Sequence, residues 1–276
     1  MNRRPVERFR SRYGRAALVV GGSEGLGAAF AAALAARGLD LVLVARRQPP
    51  LDDLATALRS RYGSTVTTIA MDAGVPGAAE LIAERVAAVD LGLLVCVAAD
   101  APVGAFLDMD IAGIDRMIDL NCRLATTLGR LIGGRLVARG RGGMIFTSSM
   151  AGLAGCASVV QYAATKSYLR VLAEGLWVEL APHGVDVLAC CPGLVRTPTF
   201  ERSGSVPPGR MAPPIMEPGA VVQQTLAALG RRPVVIPGRV NRLAAFATQR
   251  LLPRAATITM TSKATTAMYP DGPGPS

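Results

Sequence analysis

Histidine is almost absent from this sequence. The single one, His183, follows Ala181-Pro182 at an expected helix end, where it serves better as a C-terminal cation than as the base of a Ser-His-Asp hydrolase. Lysine is nearly as scarce: Lys166 and Lys263 stand against 28 arginines, so Lys166 is a poor match for random surface charge. Aromatics make up 4% of the chain and do not outline a pocket. The five cysteines, at 96, 122, 156, 190 and 191, lack metal-ligand spacing, and most stand in apolar surroundings as small core residues. No metal site is expected. No stretch reaches the roughly 18 uncharged apolar residues of a membrane-spanning helix. The N-terminus lacks the apolar centre of a secretory signal. These absences, with thiols read as reduced, predict a cytoplasmic protein.

Half of the residues are hydrophobic and 18% are charged, enough for a substantial core. The net charge of +10 sits at the ends. Residues 1–15 carry +5, residues 231–276 carry +6, and the stretch between is nearly neutral. Solvated arginine is the simpler reading of both ends. No nucleic-acid partner is expected, and contact of the basic ends with an anionic membrane surface stays open.

Residues 1–15 read as a basic arm that turns at Gly14. A short apolar strand follows at 16–20, then Gly21, Gly25 and Gly27, an alanine-rich helix at 28–37 and a second apolar strand at 41–44. Glycines between a strand and a helix allow a tight turn and let a pyrophosphate approach the helix N-terminus. The alternation continues with helix at 51–62, strand at 66–71, helix at 77–89 and strand at 91–98. A long helix at 111–138, with a break expected near Gly133-Gly134, leads to strands at 143–148 and 185–191. This order predicts an α/β fold, a doubly wound parallel sheet with helices on both faces, spanning 16–238 as one domain. Residues 197–216 hold five prolines and read as a flap over a cleft. Val221–Leu229 reads as helix, residues 233–236 as an edge strand and 240–252 as helix. Residues 239–276 form a helical C-terminal extension whose end, from Tyr269, reads as flexible.

Tyr162 and Lys166, four apart, share one face of a helix that ends near Pro182 and Gly184. Ser148 and Ser149 open the loop before it. A phenol titrates near 10 and is a poor base at neutral pH; a cation within a few ångströms lowers that by roughly 1–3 units. Tyr162 then becomes usable for proton transfer, with Ser149 donating a hydrogen bond to an oxygen gaining charge.

Together these residues resemble the classical group of the short-chain dehydrogenase/reductase family. The resemblance runs from about Tyr13 to Ile236. The family's T-G-x-x-x-G-x-G turn is matched by Val20 to Gly27, with Val20 in place of threonine. Its serine lies thirteen residues before its tyrosine, as Ser149 does before Tyr162. Y-x-x-x-K is present as Tyr162 to Lys166, the helix asparagine as Asn121, and P-G-x-x-x-T as Pro192 to Thr197.

The resemblance implies a Rossmann-type fold and catalysis by Asn121, Ser149, Tyr162 and Lys166. Tyr162 is then the proton donor in reduction, Ser149 polarises the carbonyl, Lys166 holds the nicotinamide ribose, and Asn121 holds a water linking Lys166 to solvent. The implied cofactor residues are Gly21, Ser23, Gly25, Leu26, Gly27, Asp72 at the adenine, Ala98, Tyr162, Lys166, Pro192, Gly193, Val195 and Thr197. A homo-oligomer formed through the long helices is also implied, with a small carbonyl or alcohol as substrate.

The second strand ends in Arg46-Arg47, where NAD enzymes carry a carboxylate; Asp40 starts that strand and lies at the wrong end. Two guanidiniums suit a 2′-phosphate, so NADP(H) is expected, with Arg46 the main contact. Cys96-Val97-Ala98-Ala99 replaces the family's N-N-A-G. That departure keeps open an alternative: an NADP-binding scaffold or regulatory protein with little turnover.

Overall fold

The computed structural model describes residues 3–202 and 214–269. Among them the strands are β1 Ala16–Val20, β2 Asp40–Ala45, β3 Val66–Ala70, β4 Leu91–Cys96, β5 Gly142–Thr147, β6 Val185–Cys190 and β7 Val234–Val235. They form one parallel sheet in the order β3-β2-β1-β4-β5-β6-β7. Strand order reverses between β1 and β4, which opens a crevice beyond their carboxyl ends. β1, β4 and β5 are buried along their whole length, which is why β1 and β4 read as unbroken apolar runs.

The helices are α1 Arg3–Tyr13, α2 Gly25–Ala35, α3 Gln48–Tyr62, α4 Ala78–Arg85, α5 Ile111–Ile118, α6 Leu124–Arg139, α7 Val160–Leu180, α8 Pro198–Arg202, α9 Pro218–Ala228, α10 Arg239–Phe246 and α11 Arg254–Ala267. Successive residues of β1 point to opposite faces of the sheet. Val19 joins Phe30, Leu34, Leu43 and Val222 in the core under α2 and α9. Leu18 joins Leu94, Leu128, Ile132 and Phe146 in the core under α6 and α7. Cutting a fully buried side chain such as Phe30 or Leu128 to alanine would cost about 3–5 kcal/mol.

Two expectations are corrected. Residues 3–13 form a helix, not an arm. Val6, Phe9 and Tyr13 recur at helical spacing, and Phe9 packs on Tyr13 with ring centroids 4.7 Å apart. Tyr13 is buried and donates its hydroxyl to Asp186 at 2.8 Å, while Arg12 forks onto the same carboxylate. The long helix does not break at Gly133-Gly134. Gly129 and Gly133 instead let α6 lie close on Phe146 and Met144 of the sheet. The irregularity falls earlier, as a π-helical turn over Asp119–Arg123 between α5 and α6. In the C-terminal extension α10 runs into a π-turn at Ala247–Leu251 and is followed by α11.

Most of the expected flap, residues 203–213, and the tail after Tyr269 lie outside the described residues. At the flap's near edges, Met216 pairs its backbone with Leu194 and Arg196, and α8 begins at Pro198. No helix among the described residues is long and apolar enough to cross a membrane, and no metal-binding cluster occurs among them.

Candidate active site

Ser149 follows the end of β5 in fully extended backbone. Two hydrogen bonds hold it from either side: the Ser148 amide donates to Cys190 O at 2.7 Å and the Met150 amide to Pro192 O at 2.9 Å. Pairing with β6 thus continues past the strands and leaves Ser149 little freedom. The same loop is pinned to α7. Ser148 donates its buried hydroxyl to Lys166 O at 2.6 Å, and Ser167 to Gly152 O at 2.7 Å. A Cβ on Gly152 would sit 2.7 Å from the Lys166 carbonyl carbon, so only glycine lets loop and helix meet this closely.

Lys166 is 2% exposed. Its ammonium donates to Thr147 O at 2.8 Å and lies 5.5 Å from the centroid of the Tyr162 ring. Burial drives its pKa down to about 8, with the Cys122, Cys191, Cys190 and Cys96 thiols acting weakly the other way. Those thiols stay neutral at ordinary pH: burial pushes Cys96 and Cys190 up to about 12 and Cys122 and Cys191 up to about 11. Burial also pushes the Tyr162 phenol above its ordinary value. The Ser149 hydroxyl nearby offsets part of that, and the neighbouring Tyr269 adds to it. The lowering expected from Lys166 is therefore not what dominates; desolvation does.

Asn121 sits in the π-turn and is fully buried. Its amide oxygen accepts from the Asp100 amide at 2.8 Å, and its nitrogen donates to Asp100 O at 2.9 Å and to Thr165 Oγ1 at 3.0 Å. The side chain clamps the chain beyond β4 onto α7. Arg116 reaches the same segment, bridging Asp72 at 3.1 Å and Asp100 at 3.2 Å. Sequence reasoning named Ser148 only as the opening of the loop and missed Thr165, Asp100 and Arg116. Thr165, beside Lys166 in the motif, was the one with a local signal.

The glycine turn lies beside this cluster at the switch point. Gly21 has φ +87°, and a Cβ there would meet Ala98 N at 2.5 Å. A Cβ on Gly27 would fall 1.8 Å from the Gly21 carbonyl oxygen, and one on Gly25 3.0 Å from Thr197. Val20 costs the turn no anchor, because the Gly21 and Gly22 amides donate to Val44 O. The replaced segment is held likewise, with the Val97 and Ala98 amides on Val20 O. Glu24, the N-cap of α2, makes no side-chain cap; its carboxylate takes Arg202 at 2.6 Å and Arg47 at 2.9 Å instead.

Arg46 is exposed and close enough to Asp72 to stabilise its carboxylate, though the Gly74 amide and Arg116 contribute more. Pro192 O holds the serine loop, Val195 bridges to Met216, and the Thr197 hydroxyl accepts from the Phe200 amide. Gly193 packs against Asn241. Ser23 and Leu26 are half-buried within the turn.

These residues fit a nicotinamide dinucleotide. The helix N-terminus has no side-chain cap, the glycines leave room only for their own backbone, and Lys166 has donors to spare beyond the one taken by Thr147.

A doubly wound parallel fold with serine, tyrosine and lysine gathered beyond its carboxyl edge defines the class: a Rossmann-type α/β protein. The family model for short chain dehydrogenases matches residues 15–206, and the chain belongs to that family. It is 32% identical over 234 residues to a 7beta-hydroxysteroid dehydrogenase of Clostridium sardiniense, covering 85% of this chain and 89% of that one. A structure from work on 7beta-hydroxysteroid dehydrogenase stereoselectivity superposes with TM-score 0.84 at 27% identity, over 91% of this chain and 98% of that chain. A short-chain dehydrogenase from Sphingobium yanoikuyae in complex with NADPH superposes with TM-score 0.76 at 33% identity, over 86% and 93%.

Proposed function

We propose that this chain is an NADP(H)-dependent oxidoreductase that reduces the ketone of a lipophilic, steroid-like or acyl-chain substrate to an alcohol. The observation that carries the reading is the meeting of Ser149, Tyr162 and Lys166 beside the Gly21–Gly27 turn. When bound, the nicotinamide supplies a hydride to the carbonyl carbon. Tyr162 gives its proton to the carbonyl oxygen, and its raised pKa keeps that proton in place at neutral pH. Ser149 donates a hydrogen bond to the same oxygen as it gains charge. Lys166 holds the ribose hydroxyls with its spare donors and stabilises the tyrosinate until solvent reprotonates it. Asn121 fixes α7 against the chain after β4, and so fixes the spacing of the group.

Cofactor choice rests on Arg46 and Arg47. Glu24 engages Arg47, which makes Arg46 the better 2′-phosphate contact. The NADPH complex of the Sphingobium relative supports this. Tyr162 packs with Val103, Ala151, Cys156, Val159 and Ala163, an apolar wall suited to hydrocarbon. The hydroxysteroid relatives support the same substrate class. Exposed Val171 and Val178 on α7, with Leu131 on α6, support a homo-oligomer through these helices.

The test is fluorescence titration with NADPH and NADH, followed by NADPH oxidation over a panel of steroid and 3-oxoacyl ketones. NADPH should bind at least about tenfold tighter, and Arg46→Ala should remove most of that preference. Tyr162→Phe should lower turnover by about 10²–10⁴ and leave NADPH binding intact. Binding without turnover on any ketone would move the reading to a cofactor-binding scaffold. Preference for NADH would overturn the cofactor assignment.

A further inference from the structure

Between Glu217 and Asp271 the sequence holds no acidic residue, only six arginines and Lys263. This stretch includes α10 and α11, which lie at the carboxyl edge of the sheet. Asn241 packs on Gly193 beyond β6, and Gln249 and Arg254 both donate to Leu153 O beyond β5. Their inner face packs on the body: Asn241 and Ala245 are buried, Asn241 donates to Pro237 O at 2.8 Å, and Thr257 donates to Thr248 O.

The outer face is not. Val240, Leu243 and Phe246 recur at intervals of three along α10 and are exposed, Leu243 at 68% and Phe246 at 56%. Leu251 and Leu252 follow in the connection to α11, Leu251 at 67%. Exposed arginines flank them: Arg239 at the start of α10, Arg250 and Arg254 on either side of the leucine pair. Leaving five large apolar side chains in water on one short helix pair is costly unless something covers them.

We infer that α10 and its connection to α11 form an interfacial anchor that seats the protein on an anionic lipid surface. An amphipathic helix with arginines around exposed leucine and phenylalanine lies in the plane of a bilayer. Its apolar side chains enter the headgroup boundary and its arginines meet lipid phosphates. The absence of any acidic residue decides between occupants. A second copy docking through this face would set arginine against arginine across a two-fold axis, whereas an anionic surface meets every charge with its opposite. The N-terminal basic helix takes no part. It lies at the opposite edge of the sheet, with Tyr13 and Arg12 bound to Asp186 at the start of β6. α11 also lines the serine loop, where Cys156 and Thr265 approach to 2.9 Å and Ala157 N donates to Ser262. The anchored surface is therefore continuous with the wall of the candidate site.

The test is co-sedimentation of the full chain with vesicles of phosphatidylcholine alone and of phosphatidylcholine with about a third phosphatidylglycerol. Binding to the anionic vesicles, weakened by salt, is expected. Leu251→Ser with Leu252→Ser should lower the partition coefficient roughly tenfold or more. Arg239→Gln with Arg250→Gln leaves the apolar residues in place, and should lower the preference for anionic vesicles by about fivefold per arginine. Arg8→Gln with Arg10→Gln should change nothing. Equal binding to both vesicle types, no binding at low salt, or a concentration-dependent dimer that the leucine variant dissociates would each overturn the proposal. The last outcome would assign the face to self-association.

Discussion

Lys166 donates to the carbonyl of Thr147 at 2.8 Å from a fully enclosed position, and thiols rather than carboxylates surround its ammonium. Its pKa in the fold is about 8, against an ordinary value of 10.5. The unfolded chain therefore binds this proton more tightly. The charge costs the fold about 3 kcal/mol below pH 8, and that cost fades as pH rises toward 10.5. The buried thiols act in the opposite sense, since raised values remove stability as pH climbs past about 9. A comparison with Lys166→Met cancels the thiols. Without cofactor, urea unfolding should show the difference between parent and variant moving about 1 kcal/mol in the parent's favour from pH 7 to pH 9. A difference that does not change with pH would refute the depressed value.

Asn121→Ala removes three hydrogen bonds at once, the one to Thr165 buried and the two to the Asp100 backbone part-buried. A loss of about 3 kcal/mol in stability is expected. Turnover should fall more than NADPH affinity, because the bond to Thr165 ties Asn121 to the helix that carries Tyr162. Stability within about 0.5 kcal/mol of the parent would show that the clamp is dispensable.

Glycine substitutions should divide sharply. Gly27→Ala places a methyl group 1.8 Å from the Gly21 carbonyl oxygen, backbone against backbone, and no rotamer relieves it. Several kcal/mol of stability and measurable NADPH binding should disappear together. Gly219→Ala, exposed in the first turn of α9 with open space around it, should instead stabilise by roughly 0.5–1 kcal/mol. Thermal unfolding of both variants reads the contrast; a Gly27→Ala protein of parental stability would mean the turn can open.

The order of strands and helices is legible because buried parallel strands are short apolar runs and the helices between them keep their own period. The first helix is harder to see. Its arginines dominate the composition of residues 3–13, and Val6, Phe9 and Tyr13 are too few to announce a helical face until Tyr13 finds Asp186. A break at Gly133-Gly134 follows from intrinsic propensity alone. Packing of α6 against Phe146 and Met144 gives its glycines a different purpose.

The sequence by itself determined which groups could do chemistry. Tyr162 and Lys166 are one helical turn apart whatever surrounds them, the glycines allow the tight first turn, and Arg46-Arg47 closes the second strand with positive charge. Only the tertiary structure decided their condition. Burial, a property of the whole packed sheet, raises the phenol and lowers the ammonium. Asp100 comes to Asn121 and Arg116 to Asp72 because chain segments far apart in sequence end at the same edge of that sheet. Helical period and turn geometry are local and can be read from spacing. Desolvation and long-range pairing depend on which surfaces meet, and spacing does not contain that.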